Sequence, residues 1–297
     1  MSSGNVVNIL VNADGSKATS SFEKVRKSVM LVSAAVAGVG LALTRIGDEF
    51  TKSTNNIRAG TGATGAELES LKDSFKAVAS GVPQDFDSVS KAVANVHTEL
   101  GLTGSELETA TKRFLDLGRL TGTEVAPMIK SVSDAMDLFG LDAAESGKAL
   151  DSFAKAAQIT GVPISRLSST TMEFGPVLRN LGLDFNETVA LMGNLEGAGI
   201  SVSRIMPGLN ASMRRLAASG VSDMGEALQA SMRDIKGATS DTEALNIATD
   251  IFGAEGAQRM SVAIRDGTID IAAMADTLAN AEGAVETMNE DSLTSAD

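Results

Sequence analysis

Beyond Arg58 the apolar positions recur every three to four residues, in runs separated by short breaks centred on glycine. That period gathers the apolar side chains on one face of a helix. The runs open with a repeated signature. A helix starts well where Ser, Thr or Asp is followed three residues later by Glu, because each side chain then satisfies a backbone amide that the helix leaves free. The pattern occurs at Thr64 and Glu67, Thr103 and Glu106, Asp142 and Glu145, and Asp184 and Glu187, with starts 39, 39 and 42 residues apart. Inside each interval lies a second break: "SGVPQDF" at Gly81, "LTGTEV" at Gly122, "TGVPISRL" at Gly161 and "GAGISVSRI" at Gly199. Glycine suits the residue that ends one helix, and proline the first turn of the next. Residues 60–219 therefore read as four helical hairpins with a period near 40, each burying its face on its neighbours. The fold class expected is all-α. Shorter helices follow in an acidic C-terminal part, residues 220–297. Within it the last helix is expected near Ile269–Ala281. Pro176, beside Gly175, marks a kink or a break.

Two segments precede the repeats. In residues 1–28 only "NVVNILVN" (Asn5–Asn12) alternates like a strand, and residues 29–59 read as an apolar helix and a linker. That helix contains "LVSAAVAGVGLAL" (Leu31–Leu43), inside 17 uncharged residues between Lys27 and Arg45. Such a length is at the lower limit for a membrane span. A signal peptide fits poorly, since its charged region should open the chain, and here a segment with Asp14 and Glu23 comes first. Ala34, Gly38 and Ala42 fall at i, i+4 and i+8, a spacing of small residues that lets helix backbones approach closely. Three readings stay open, in this order: a helix buried in a soluble body, a helix that associates between copies with a latent ability to enter a membrane, and a constitutive anchor.

Composition narrows the function. Aromatic residues make up only 3% of the chain, with no Trp and no Tyr, so the 43% of hydrophobic residues are mostly aliphatic. Helix-on-helix packing suits such side chains, whereas enzyme pockets usually draw on aromatic rings. With no Cys and a single His, thiol catalysis, disulfides and a His-rich zinc site are excluded. The net charge of −13 leaves no overall footprint for nucleic acid. Residues 1–60 nonetheless carry a net charge of +3, so a mildly basic head precedes a strongly acidic body.

No catalytic constellation emerges, and no catalytic, cofactor-binding or metal-ligating residue is assigned. "GTGATG" (Gly60, Gly62, Gly65) matches the glycine spacing of a dinucleotide fingerprint, but that spacing needs a preceding strand. Helical sequence surrounds it, so it reads as a linker and a helix cap. His97 falls in the last turn of an expected helix, where the helix dipole favours partial positive charge. Met172, Met192, Met206 and Met213 read as core filler.

Three segments carry a resemblance when taken in order. They are "LGLDFNETVALMGNLEGAGISVSRIMPGLNASMRRLA" (Leu181–Ala217), "ATDIFGAEGAQRMSVAIRDG" (Ala248–Gly267) and "AEGAVETM" (Ala281–Met288). Together with the Gly/Ala-rich apolar helix ahead of them, they resemble the core region of tail tape measure proteins from long-tailed bacteriophages. The resemblance covers roughly residues 20–290. It implies a structural protein of the virion that is assembled in the host cytoplasm, lies in the lumen of the tail tube, sets its length and leaves during DNA ejection. It also implies homo-oligomers and contacts with the tail tube protein, tail assembly chaperones and tip or baseplate proteins. Residues 29–44 would supply any contact with the host membrane. Members of the family are usually far longer, so the chain is expected to be part of a larger protein. A generic helical-repeat interaction scaffold and a membrane-active, pore-forming helical protein are the alternatives.

Overall fold

The computed structural model describes the backbone of residues 38–294 and the side chains of residues 49–292. Among the described residues the chain is all-α, with fourteen α-helices, one 3-10 turn and no strand. The expected strand at residues 5–12 lies outside the described residues, as does Ala34. Gly38 and Ala42 belong to the opening turns of α1 (Gly38–Thr61), and side chains there are outside the described range. Among the described residues no helix is long and apolar enough to cross a membrane.

Helices end where the sequence breaks. Gly81 separates α2 (Gly65–Ala79) from α3 (Phe86–Leu100), and Gly122 separates α4 (Gly104–Thr121) from α5 (Val125–Phe139). A 3-10 turn (Ala143–Glu145) leads into α6 (Ser146–Thr160), which Gly161 separates from α7 (Ile164–Asn180). Gly199 lies between α8 (Phe185–Gly197) and α9 (Val202–Ala218). Five shorter helices follow: α10 (Met224–Gly237), α11 (Asp241–Phe252), α12 (Ala254–Arg265), α13 (Ile271–Ala279) and α14 (Ala284–Thr294). Helix α7 runs through Pro176 without a break.

Contacts divide the chain into two units, residues 1–115 and 116–297. In the first, α1 lies along α3, and α2 packs on both. Three rings, Phe50, Phe75 and Phe86, meet there with centroids 5.5, 5.8 and 6.3 Å apart. Ile57, Leu71, Val89 and Val93 of the same three helices are all essentially without solvent contact.

The second unit is built around α8. Nine of its 13 residues are buried: Phe185 and the unbroken run from Thr188 to Leu195. A helix apolar on every side belongs inside a core, and α6, α7, α9 and α13 pack against it. At Gly193 a Cβ would stand 3.0 Å from the Met274 methyl of α13 and 3.4 Å from Thr160 of α6. A second ring cluster, Phe139, Phe185 and Phe153, joins α5, α8 and α6, with edge-on contacts at 5.8 and 5.4 Å. Sequence neighbours are not always the main partners: α5 packs chiefly on α7, and α9 on α11.

Small residues make these contacts close. Each helix from α1 to α9 buries at least one Ser or Thr. Several of these hydroxyls donate within their own helix, as Thr111 does to the Leu107 carbonyl (2.6 Å) and Thr170 to that of Arg166 (2.9 Å). A buried hydroxyl satisfied this way needs nothing from the facing helix. Thr188 is an exception, fully buried with no partner for Oγ1. Thr188→Val should therefore stabilise the protein by about 1 kcal/mol, since it removes an unsatisfied hydroxyl and keeps the branched shape. Urea unfolding checks this: a lower midpoint for the variant would mean that the hydroxyl is bonded in solution.

Candidate functional site

Three junctions tie the second unit together, and each uses one of the segments singled out in the sequence. The first is the entry to α8. After α7 the chain turns back with the Leu183 amide donating to the Leu178 carbonyl (3.1 Å), which sends the buried Leu183 into the core. Asp184 then accepts from the Glu187 amide (2.8 Å), and Glu187 Oε2 accepts from the Asp184 amide (2.9 Å). Glu187 Oε1 also accepts from Gln229 Nε2 (3.0 Å), so one carboxylate both caps α8 and holds α10.

The second junction is a close crossing of α9 over the α11–α12 turn. At Gly208 a Cβ would meet the Phe252 carbonyl oxygen at 2.2 Å, and at Gly256 it would meet Ile205 Cδ1 at 2.2 Å. Gly253, at φ 76°, holds the turn between the two helices in backbone that L side chains rarely adopt. The last turn of α11 leaves carbonyls without helical partners. Helix α9 supplies them: Ser212 Oγ reaches the Ile251 carbonyl at 2.9 Å, and Arg215 donates to that of Asp250 at 2.6 Å. At the other end of α11, Glu243 accepts from both the amide and the hydroxyl of Thr239 (2.8 and 2.6 Å). Those bonds hold its carboxyl below the usual glutamate range.

The third junction involves Asp151, in the middle of α6 and 1% exposed. Its two carboxylate oxygens accept from the amides of Gly283 and Val285, each at 3.0 Å. This residue does not stand out in the sequence. The segment "AEGAV" has no capping side chain of its own at the start of α14, and that gap was the one available signal.

The other expected caps differ among themselves. Glu145 Oε2 accepts from the Asp142 amide (3.0 Å) ahead of α6. Thr103 offers its carbonyl to the Leu107 amide (3.4 Å), with Glu106 in the first turn of α4. Thr64 stands at the start of α2 in extended backbone, but its side chain makes no capping bond. Glu67 instead faces His97, with Oε1 3.5 Å from Nε2. The other ring nitrogen of His97 lies 2.9 Å from the Leu102 carbonyl, so the ring spans the end of α3. Gly60 ends up inside α1, while Gly62 and Gly65 shape the turn into α2. The carboxylates at the three junctions are occupied by backbone amides. Among the described residues no group of His, Cys, Asp or Glu is placed to hold a metal ion. What this arrangement does is join helices.

A family model described as phage-related minor tail protein matches residues 82–253. This is more than half of the chain. The chain belongs to that family. The match runs from the turn before α3 to Gly253, and so takes in the α8 entry and the Gly208–Phe252 contact of the α9 crossing. No curated protein and no solved structure matches the chain. As a minor tail protein it is a structural part of a phage tail, and packing junctions are the features to expect in it.

Three substitutions test the junctions and caps of this minor tail protein. Gly208→Ala should destabilise by about 1–3 kcal/mol or more, because its Cβ would press on backbone that cannot rotate away. Asp184→Ala should cost about 0.5–2 kcal/mol as a lost cap, and Thr64→Ala only a few tenths, since no bond is lost there. Chemical denaturation of the purified variants decides both. A stable Gly208→Ala, or Thr64→Ala as costly as Asp184→Ala, would contradict the packing and the caps described.

Proposed function

We propose that this minor tail protein is a tape measure protein. It occupies the lumen of the growing tail tube, templates tube polymerisation to a set length, and leaves ahead of the DNA during ejection. The observation that carries the reading is the order of its segments. A Gly/Ala-rich apolar stretch precedes the α8 segment, the α11–α12 segment and the "AEGAV" segment, all in one chain of the minor tail family.

Physical features support the reading. The net charge of −13 disfavours binding to DNA that must share the same channel. Continuous helix rises about 1.5 Å per residue, so 297 residues would reach on the order of 450 Å. The described residues instead form helices of at most 24 residues that pack within two units. In this reading the two units are folded parts that do not measure length, and the ruler is a longer helical region of the same polypeptide. The partners would be further copies of the chain, the tail tube protein, tail assembly chaperones and tip or baseplate proteins. The stretch Ala34, Gly38, Ala42 would bring copies together, and residues 29–44 would meet the host membrane.

Deleting the gene in its phage should abolish tails of defined length, as seen by electron microscopy of lysates. Complementation with the His97→Ala protein should restore them, because the ring makes only local contacts, with the Leu102 carbonyl and Glu67. Tails of normal length without the gene would remove the ruler role and leave a different structural role in the tail. Failure of a well-folded His97→Ala protein would mean that the histidine contributes more than a helix-end contact.

A further inference from the structure

Helix α14 is attached to its unit in an unusual way. Between Ala284 and Ser292 only Val285 is buried. The rest of the helix is half-buried or exposed, so hydrophobic burial holds it weakly. Eleven residues are also too few for a stable isolated helix in water. At its start Gly283, which has no side chain to accept a bond, stands where Ser, Thr or Asp would normally satisfy the free amides. The missing acceptor comes from Asp151 on α6, whose carboxylate takes the amides of Gly283 and Val285 at 3.0 Å each. Farther along, Asn289 donates to Asp116 Oδ2 (3.3 Å) and accepts from Arg119. Both of these contacts are polar.

We propose that α14 is a detachable strap, latched by Asp151, which leaves the second unit without unfolding it. The latch has two self-consistent states. Docked, the carboxylate is buried and satisfied by two amides aligned with the helix dipole. Undocked, the covering turn is gone, and water can solvate the carboxylate and the freed amides. Neither state leaves a buried charge without a partner, which is the arrangement that would otherwise forbid opening. An ordinary apolar strap would expose a row of large side chains on leaving, whereas α14 exposes mainly Val285. Release frees an eleven-residue segment, which unwinds once it has left, and uncovers part of α6. The second unit thereby has two states, strapped and open, on one folded core. This holds for the unit itself, whether or not the protein is a tape measure.

Hydrogen exchange on the whole 297-residue chain tests the latch. In the unaltered protein, amides of residues 285–292 should exchange through an opening that depends little on low urea. Amides of α8 should exchange only with global unfolding, and so with steep urea dependence. Asp151→Asn keeps the shape but turns an amide group toward the two donors. It should speed α14 exchange relative to α8 by at least about tenfold, the loss expected for charge-assisted bonds. Equal urea dependence for α14 and α8 in the unaltered protein would overturn the proposal. So would an Asp151→Asn protein that folds and keeps α14 as protected as before. If Asp151→Asn fails to fold, the unaltered protein alone decides, by the contrast between the two helices.

Discussion

A helix with no solvent face has to be enclosed from every side, and α8 is such a helix. Eight consecutive buried residues, Thr188 to Leu195, leave it no polar stripe to turn outward. The remainder of the second unit follows from that requirement. Helices α6, α7 and α9 are brought to it by short turns, and α13 covers a further side from far along the sequence. The enclosure works because the run is not uniformly large. Gly193 admits Met274 and Thr160 at contact distance, and Asn194 spends its amide on the Ala190 carbonyl and the Met274 sulfur, both at 2.8 Å.

The scarcity of aromatic residues fits this mode of packing. Cores built from rings gain large buried areas per side chain. Here six of the ten Phe are gathered into two clusters, one per unit. The remaining contacts rely on Leu, Val, Ile and Met, with Ala, Ser, Thr and Gly between them permitting short distances between helices and many modest dispersion contacts. The tightest crossing, Gly208 against Phe252, brings backbone against backbone, and there any side chain beyond hydrogen is excluded. For a structural tail protein the consequence is mechanical. Helix junctions are defined by shape and by backbone hydrogen bonds, with charged groups consumed in capping.

Capping recurs across the unit as the use to which its carboxylates are put. Asp184 and Glu187 cap locally; Glu187 also reaches Gln229; Asp151 caps a helix 132 residues away. Surface ion pairs contribute less, though the two-pronged contact of Arg166 with Glu196 (2.8 and 3.1 Å) joins α7 to α8 and raises the affinity of that guanidinium for its proton. Neutralising carboxylates in this way leaves the chain acidic outside and free of buried unpaired charge at its junctions.

Local signals in the sequence determined the helices. Gly81, Gly122, Gly161 and Gly199 mark breaks, and Asp184 with Glu187 marks a start, because caps and turns are settled by residues within one or two helical turns. The same locality explains what could not be read. Thr64 and Glu67 have the spacing of a capping box, yet Glu67 faces His97 of α3, a neighbour that only folding provides. The 40-residue period announced helical pairs, but which helix covers which depends on the whole set of buried faces. Hence α5 on α7 and α13 on α8 emerged only in three dimensions. Asp151 looks like any carboxylate on a helix in sequence, and its role exists only because tertiary packing brings two distant amides to it. The chain's own residues decide where each helix begins and ends. Partners across long separations decide how those helices are held, since a hydrogen bond acts over ångströms in space whatever the distance along the chain.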